Sequence, residues 1–131
     1  MEKEIINPEG LCKPVALYSH AIKVKASGHM LFIKGSTARD KDFNLIGPGD
    51  VVAQSRQIFD NMKIILDEAG GSFDNIVKIV TYVTDISKFQ QIQAVRGEYF
   101  KNGYPVTTMV EVSRLASEGL LVEIEAIAVL D

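Results

Sequence analysis

Two carboxylates near the C-terminus, Glu123 and Glu125, stand two residues apart. On a strand that spacing puts both on one face, about 7 Å apart, where a pair could act as acid and base or hold a metal. No further ligand accompanies them, so one partnered residue and one solvated rim residue is the expected arrangement. Nucleophiles are available in Cys12, Ser36 and several threonines, with His20 or His29 as a base, but none lies in an elbow or triad context. His29 follows Ser27-Gly28 in a turn and reads as solvated, whereas His20 sits mid-strand near Tyr18 and could line a cleft. Gly47-Pro48-Gly49 has neither the spacing nor the following lysine of a phosphate loop. Gly35, directly after an apolar strand, either shapes a turn or lets a ligand or another backbone approach. Cys12 is the single cysteine; it excludes an intrachain disulfide and, with two histidines, leaves too few soft ligands for a structural zinc site.

The elements that must position these residues belong to one domain spanning the 131 residues. With 47% hydrophobic and 24% charged residues the composition is that of an ordinary globular protein. Fourteen basic residues against seventeen acidic ones, without a run of like charge, give no footprint for the phosphate contacts that dominate nucleic-acid affinity. No apolar run is long enough to span a bilayer, and no apolar h-region follows Met1-Glu2-Lys3-Glu4. These features, with the lone cysteine, lead us to expect a cytoplasmic protein with no membrane or nucleic-acid partner.

A short extended piece at Glu4-Ile5-Ile6 is followed by Val15–Val24 and Met30–Lys34, which read as a β-hairpin turning at Ala26-Ser27-Gly28. The polar stretch 35–49 reads as a surface loop with a short hairpin near Phe43–Ile46. Asp50 can cap a helix whose apolar residues Val51, Ile58, Phe59, Met62, Ile65, Leu66 and Ala69 share one face, with Gly70-Gly71 as its stop. A strand rich in β-branched residues follows over 76–84, then a helix over 86–100 with Ile86, Phe89, Ile92, Val95 and Tyr99 inward. Strands at 106–115 and 120–130 close the chain around Ser117-Glu118-Gly119. Strands, helix, strand, helix, strands call for an α+β fold, with both helices on one face of a mixed sheet through right-handed crossovers. The wholly apolar side of the last strand, Val122 to Leu130 in alternation, must face the helices. That leaves a face with Thr107, Met109 and Glu111 from one strand and Ile127 and Val129 from the other uncovered, which predicts burial against further copies of the chain.

Tyr18 in Leu-Tyr-Ser-His-Ala, Gly35 after Met-Leu-Phe-Ile, the segment from Ala53 through Arg56 to Asn61, Leu66-Asp-Glu-Ala-Gly70, Asp85-Ile-Ser-Lys-Phe89 and the closing Tyr104-Pro105, Val110-Glu-Val112, Leu115 and Val122-Glu-Ile-Glu-Ala-Ile-Ala128 resemble the RidA/YjgF family over nearly the whole chain. The resemblance implies a chorismate-mutase-like fold with a six-stranded mixed sheet. It also implies a homotrimer whose sheets close a central barrel, and ligand clefts between subunits. The activity implied is hydrolysis of reactive enamines and imines such as 2-aminoacrylate to 2-keto acids and ammonia, with no metal or organic cofactor. An arginine fork would hold the substrate carboxylate, and a carboxylate-held water would attack the imine carbon.

In deaminating relatives that arginine is the second residue after the proline opening the penultimate strand; here Pro105-Val106-Thr107 puts Thr107 there, and a neutral hydroxyl cannot replace a guanidinium. Tyr18, Gly35 and Glu123 match the family's cleft, with Glu123 as the water-holding carboxylate. Met109 stands where cysteine is common, and Gln93 where asparagine is common. Arg96, one helical turn from Gln93, could supply a cation from another direction, although a solvated helix-surface arginine is the expected reading. Three functions follow: an imine or enamine hydrolase for a substrate needing no clamp, with Thr107 and Thr108 presenting hydroxyls to a neutral group; a small-molecule-binding or regulatory trimer without the reaction; and the ribonuclease activity ascribed to some relatives, against which the acidic balance argues.

Overall fold

The computed structural model describes residues 2–25 and 27–131. Its order is β1 (Lys3–Ile6), β2 (Ala21–Val24), β3 (His29–Ser36), α1 (Val51–Ala69), β4 (Ile76–Val83), α2 (Phe89–Tyr99), β5 (Val106–Glu111) and β6 (Val122–Leu130). The helix signals act as their chemistry requires. Asp50 accepts from the Ala53 N–H at 3.0 Å, satisfying a donor that a helix start leaves orphaned. Gly70, at φ 79°, closes the other end, a left-handed position that favours glycine. Ile58, Phe59, Met62 and Leu66 are fully buried along the inner face of α1, each contributing roughly 1.5–3 kcal/mol of burial. Asp85 caps a 3₁₀ turn over Ile86–Lys88, and α2 continues from it with Ile92 and Val95 in the core.

β3, β6, β4 and β5 form one sheet in that order, with β4 and β5 parallel and the other pairs antiparallel. The parallel pair is joined through α2, as a crossover must be. Val122, Ile124, Ala126, Ala128 and Leu130 are all buried, together with Ile33, Ile79 and Val83, so the apolar side of β6 faces the helices as expected. Gln54, buried on α1, donates to the Gly47 and Gly119 carbonyls at 3.1 and 2.9 Å and accepts from the Leu121 N–H at 2.9 Å, tying two loops to the helix. No helix among the described residues is long and apolar enough to cross a membrane.

Three expectations are corrected. The expected hairpin does not form: β2 pairs with β1, and β3 pairs with β6. Strand β2 finds in β1 a matching Ile5↔Ile22 pair and an Lys23–Glu4 ion pair at 3.6 Å. Strand β3 has Leu31 and Ile33 to bury over α1, and residues 15–20 carry no strand. Of the expected turn, Ala26 lies outside the described residues; Gly28, at φ 81°, sits where a Cβ would fall 2.0 Å from the Leu130 carbonyl oxygen, so the chain passes there against β6. Consequently the six strands divide into sheets of two and four rather than forming one. Finally, β5 stops at Glu111, and its parity is opposite to that expected. Thr107, Met109 and Glu111 pair with Ile79, Thr81 and Val83 on the helix side, while Thr108 and Val110 pair with Val80 and Tyr82 on the open side. The open face therefore carries Met30, Phe32, Val80, Val110 and Ile127, with Phe32 69% and Met30 61% exposed. Val129 shares this side by register but is buried.

Candidate functional site

Where α2, the start of β5 and the segment before β2 meet, they enclose a cavity of about 270 Å³ lined by Tyr18, Phe89, Gln93, Arg96, Thr107 and Met109, with Val15, Ala16 and Ile86 at its margin. The segment is fixed by Ser19, whose hydroxyl donates to the Tyr104 carbonyl at 2.6 Å and whose N–H donates to the Pro105 carbonyl at 3.3 Å. Gly97 lets it lie close over α2, since a Cβ there would meet the Leu17 side chain at 3.1 Å. Helical spacing brings Phe89, Gln93 and Arg96 to one side of α2, and the two-residue period of β5 brings Thr107 and Met109 to face them. Ile86 and Phe89, expected on the inner stripe, are 43% and 37% exposed because they flank this opening.

The solvated reading of Arg96 is overturned: it is 2% exposed. Its Nη1 donates to the Leu17 carbonyl at a long 3.4 Å, and its Nε has no partner. Burial alone pushes its pKa down to about 10; among the described residues no carboxylate pairs with it. Gln93 Oε1 and Thr107 Oγ1 are likewise buried without partners. Three lining residues of one cavity thus carry unmet hydrogen-bonding capacity, a state that costs roughly 1–3 kcal/mol per group and that folded proteins seldom retain without use.

Glu123 and Gly35 lie elsewhere. Glu123 pairs with Tyr82 on the open side of the sheet, and a Cβ on Gly35 would fall 2.5 Å from Glu123 Oε2. The glycine lies within a break in β3 register between Ile33 and Ser36, and the approach it admits is that of the Glu123 side chain. Glu125 accepts from Tyr82 Oη at 2.8 Å, which raises the pKa of the Tyr82 phenol. Thr108 is exposed on the same open side, so it and Thr107 cannot present hydroxyls to one group from one chain. Ser36 donates to the Lys34 carbonyl at 3.3 Å, Cys12 and His29 are exposed, and the His20 ring sits 3.1 Å from Asn7 Oδ1; these do not assemble a nucleophile and base. No His, Cys, Asp and Glu group among the described residues is placed to hold a metal.

This division of residues between a helix-side cavity and an open sheet face can be set beside known proteins. The model of the endoribonuclease L-PSP family matches residues 10–130. A RutC family protein of Pyrococcus abyssi is 40% identical over 128 residues, covering 98% of each chain. The crystal structure of YyfB from Yersinia pestis, a Rid family protein of unknown function, superposes with a TM-score of 0.91 at 34% identity, covering 99% of this chain and 100% of that one. RidA from an Antarctic Psychrobacter superposes with a TM-score of 0.73 at 32% identity over 97% of this chain and 99% of that one. The chain belongs to the RidA/YjgF family.

Of the residues that the RidA resemblance singled out, the structure gathers Tyr18, Gln93, Arg96, Thr107 and Met109 into one cavity and keeps Gly35, Thr108 and Glu123 apart from it. Sequence reasoning missed Val15, Ala16 and the Leu17 carbonyl as site components. Their only signal was proximity to Tyr18, because they lie in a segment read as a regular strand.

Proposed function

We propose that this RidA-family chain hydrolyses the C=N bond of a small imine, or of an enamine after tautomerisation, in a cleft made by two neighbouring copies in a ring of three. The observation carrying this reading is the cavity whose lining leaves Gln93 Oε1, Arg96 Nε and Thr107 Oγ1 unpartnered, polar capacity available to a bound molecule. A second copy supplies what one chain lacks. The sheet ends in β3 on one edge and β5 on the other, and joining unlike edges is a head-to-tail contact that closes into a ring when the rotation permits. Such a contact carries Gly35 and Glu123 of one copy toward the cavity beside β5 of the next and buries Phe32 and Met30.

In that cleft Glu123 accepts a proton from water as the water oxygen bonds to the imine carbon. The π pair moves to nitrogen, which takes up a proton; the carbinolamine then collapses to a carbonyl compound and ammonia. Tyr18 supplies a hydroxyl at the cavity wall. Fourteen basic residues against seventeen acidic ones, and a formal charge of −3, support a small molecule over RNA. A binding-only trimer is the second reading, favoured by the absence of any carboxylate from the cavity lining of a single chain.

The test generates a short-lived imine in situ by oxidising a small amino acid and follows carbonyl release. Acceleration by the protein, lost in Glu123→Gln, supports hydrolysis. No acceleration with any imine leaves the binding-only reading, and activity that survives Glu123→Ala refutes the water-holding role.

A further inference from the structure

Among the described residues, Arg96 is a buried cation without a counterion. A guanidinium withdrawn from water is tolerated when it is paired, yet among the described residues no carboxylate pairs with Arg96, and several on α2 and other elements have partners of their own. Glu98, two residues on, holds Arg56 through bonds of 2.9 and 2.7 Å. Asp60 accepts from Tyr99 Oη at 2.8 Å, Asp85 caps the Ser87 N–H, and Glu111 accepts from the Ile86 N–H at 3.0 Å. Arg96 keeps one 3.4 Å bond to a backbone carbonyl and lines the cavity.

We infer that Arg96 anchors the ligand of this cavity, and that the ligand is a small monocarboxylate with a short apolar tail. This rests on the cavity being the ligand site, as proposed above, but not on the hydrolytic step. The lining decides the class. One cation balances one negative charge, which suits a carboxylate better than a phosphate dianion, and a guanidinium fork can take both carboxylate oxygens. Val15, Ala16, Ile86, Phe89 and Met109 make the rest of the wall mainly apolar, and a cavity of about 270 Å³ takes a molecule of roughly ten heavy atoms. Gln93 and Thr107 then meet the polar atom beside the carboxylate, a carbonyl or imine, through an amide and a hydroxyl that can each donate or accept. The anchor comes from α2, so a threonine at position 107 does not exclude a carboxylate-bearing substrate.

The test measures binding to the intact oligomer by calorimetry, using 2-oxopentanoate, its uncharged methyl ester and inorganic phosphate as probes. The wild type binds the acid at least about tenfold more tightly than the ester. Arg96→Gln loses about tenfold or more for the acid and nothing for the ester, and Arg96→Lys recovers part of the loss. Equal affinity for acid and ester, wild-type affinity in Arg96→Gln, tighter binding of phosphate, or no binding of any probe would each overturn the assignment. The acid–ester comparison in the wild type decides the matter even if the variants fail to assemble. Carboxylate binding without imine turnover would retain the anchor and sink the hydrolase; turnover of neutral imines with Arg96→Gln unimpaired would do the reverse.

Discussion

Replacing Arg96 by methionine should make the ligand-free protein more stable. A guanidinium pKa lowered by burial from its ordinary value to about 10, at about 1.4 kcal/mol per unit, corresponds to roughly 3 kcal/mol against folding. The sign follows from the direction. Because the folded value is depressed, the penalty is fully present while the group is charged in both states, below about pH 10, and fades above it as the folded protein deprotonates first. Methionine fills most of the same volume and removes the charge; what is lost is the 3.4 Å bond to the Leu17 carbonyl, worth about 1 kcal/mol. The net gain of roughly 2 kcal/mol raises the thermal midpoint by about 6–8 °C for a chain of this size. Calorimetry at neutral pH and fixed subunit concentration reads it directly. Saturating 2-oxopentanoate should reverse the order, since a ligand at a hundred times its Kd contributes about 2.7 kcal/mol to a wild type that binds it. An Arg96→Met protein that melts below the wild type without ligand would mean that the guanidinium has a partner, and the charge argument would fail.

Gly35→Ala places a methyl carbon 2.5 Å from Glu123 Oε2; the carboxylate must swing aside while the backbone stays, so imine turnover should fall about ten- to a hundredfold with the melting point within a few degrees, and a matching loss of stability would mark Gly35 as purely structural. Phe32→Asp puts a charge on the open face where Phe32 is 69% exposed, and sedimentation should find lone subunits at micromolar concentration; an unchanged oligomer would show that this face is not the contact. Gln54→Ala orphans the Gly47 and Gly119 carbonyls and the Leu121 N–H, which should lower stability by roughly 3 kcal/mol or more in denaturant unfolding.

The helices were legible because their signals are local: Asp50 as cap, Gly70 as stop and a stripe of Ile58, Phe59, Met62 and Leu66 need no knowledge of the rest of the chain. Strand partners were not, since pairing is decided by residues far apart in sequence. A tight turn suggested that β2 and β3 pair, but β3 gains more from β6, with which it aligns Leu31↔Ala128 and Ile33↔Ala126 over the core. The parity of β5 was also hidden: Val106 to Val110 alternates no clear polar and apolar sets, so only its pairing with β4 fixes Thr107 inward. Arg96 was misjudged for a related reason. On α2 its neighbours read as a polar helix surface, and what buries it is the segment around Leu17, about eighty residues earlier, laid across Gly97.

That parity has a consequence for where the chemistry can occur. Successive side chains of a strand leave on opposite faces, so Thr107 and Met109 join the cavity while Glu123 shares the far face with Tyr82 and Glu125. The proposed base and the proposed anchor are therefore on opposite sides of one sheet, and the proposed reaction needs two copies. Complementation tests this with two inactive proteins. An Glu123→Gln copy retains an intact cavity, and an Arg96→Gln copy retains an intact carboxylate. After subunit exchange in an equal mixture, a cleft drawing its cavity from the first and its base from the second is wild type, which by chance is about one cleft in four. Recovery of about a quarter of wild-type turnover is the expected result. If each cleft took both groups from the same chain, every cleft would keep one defect and mixing would restore nothing.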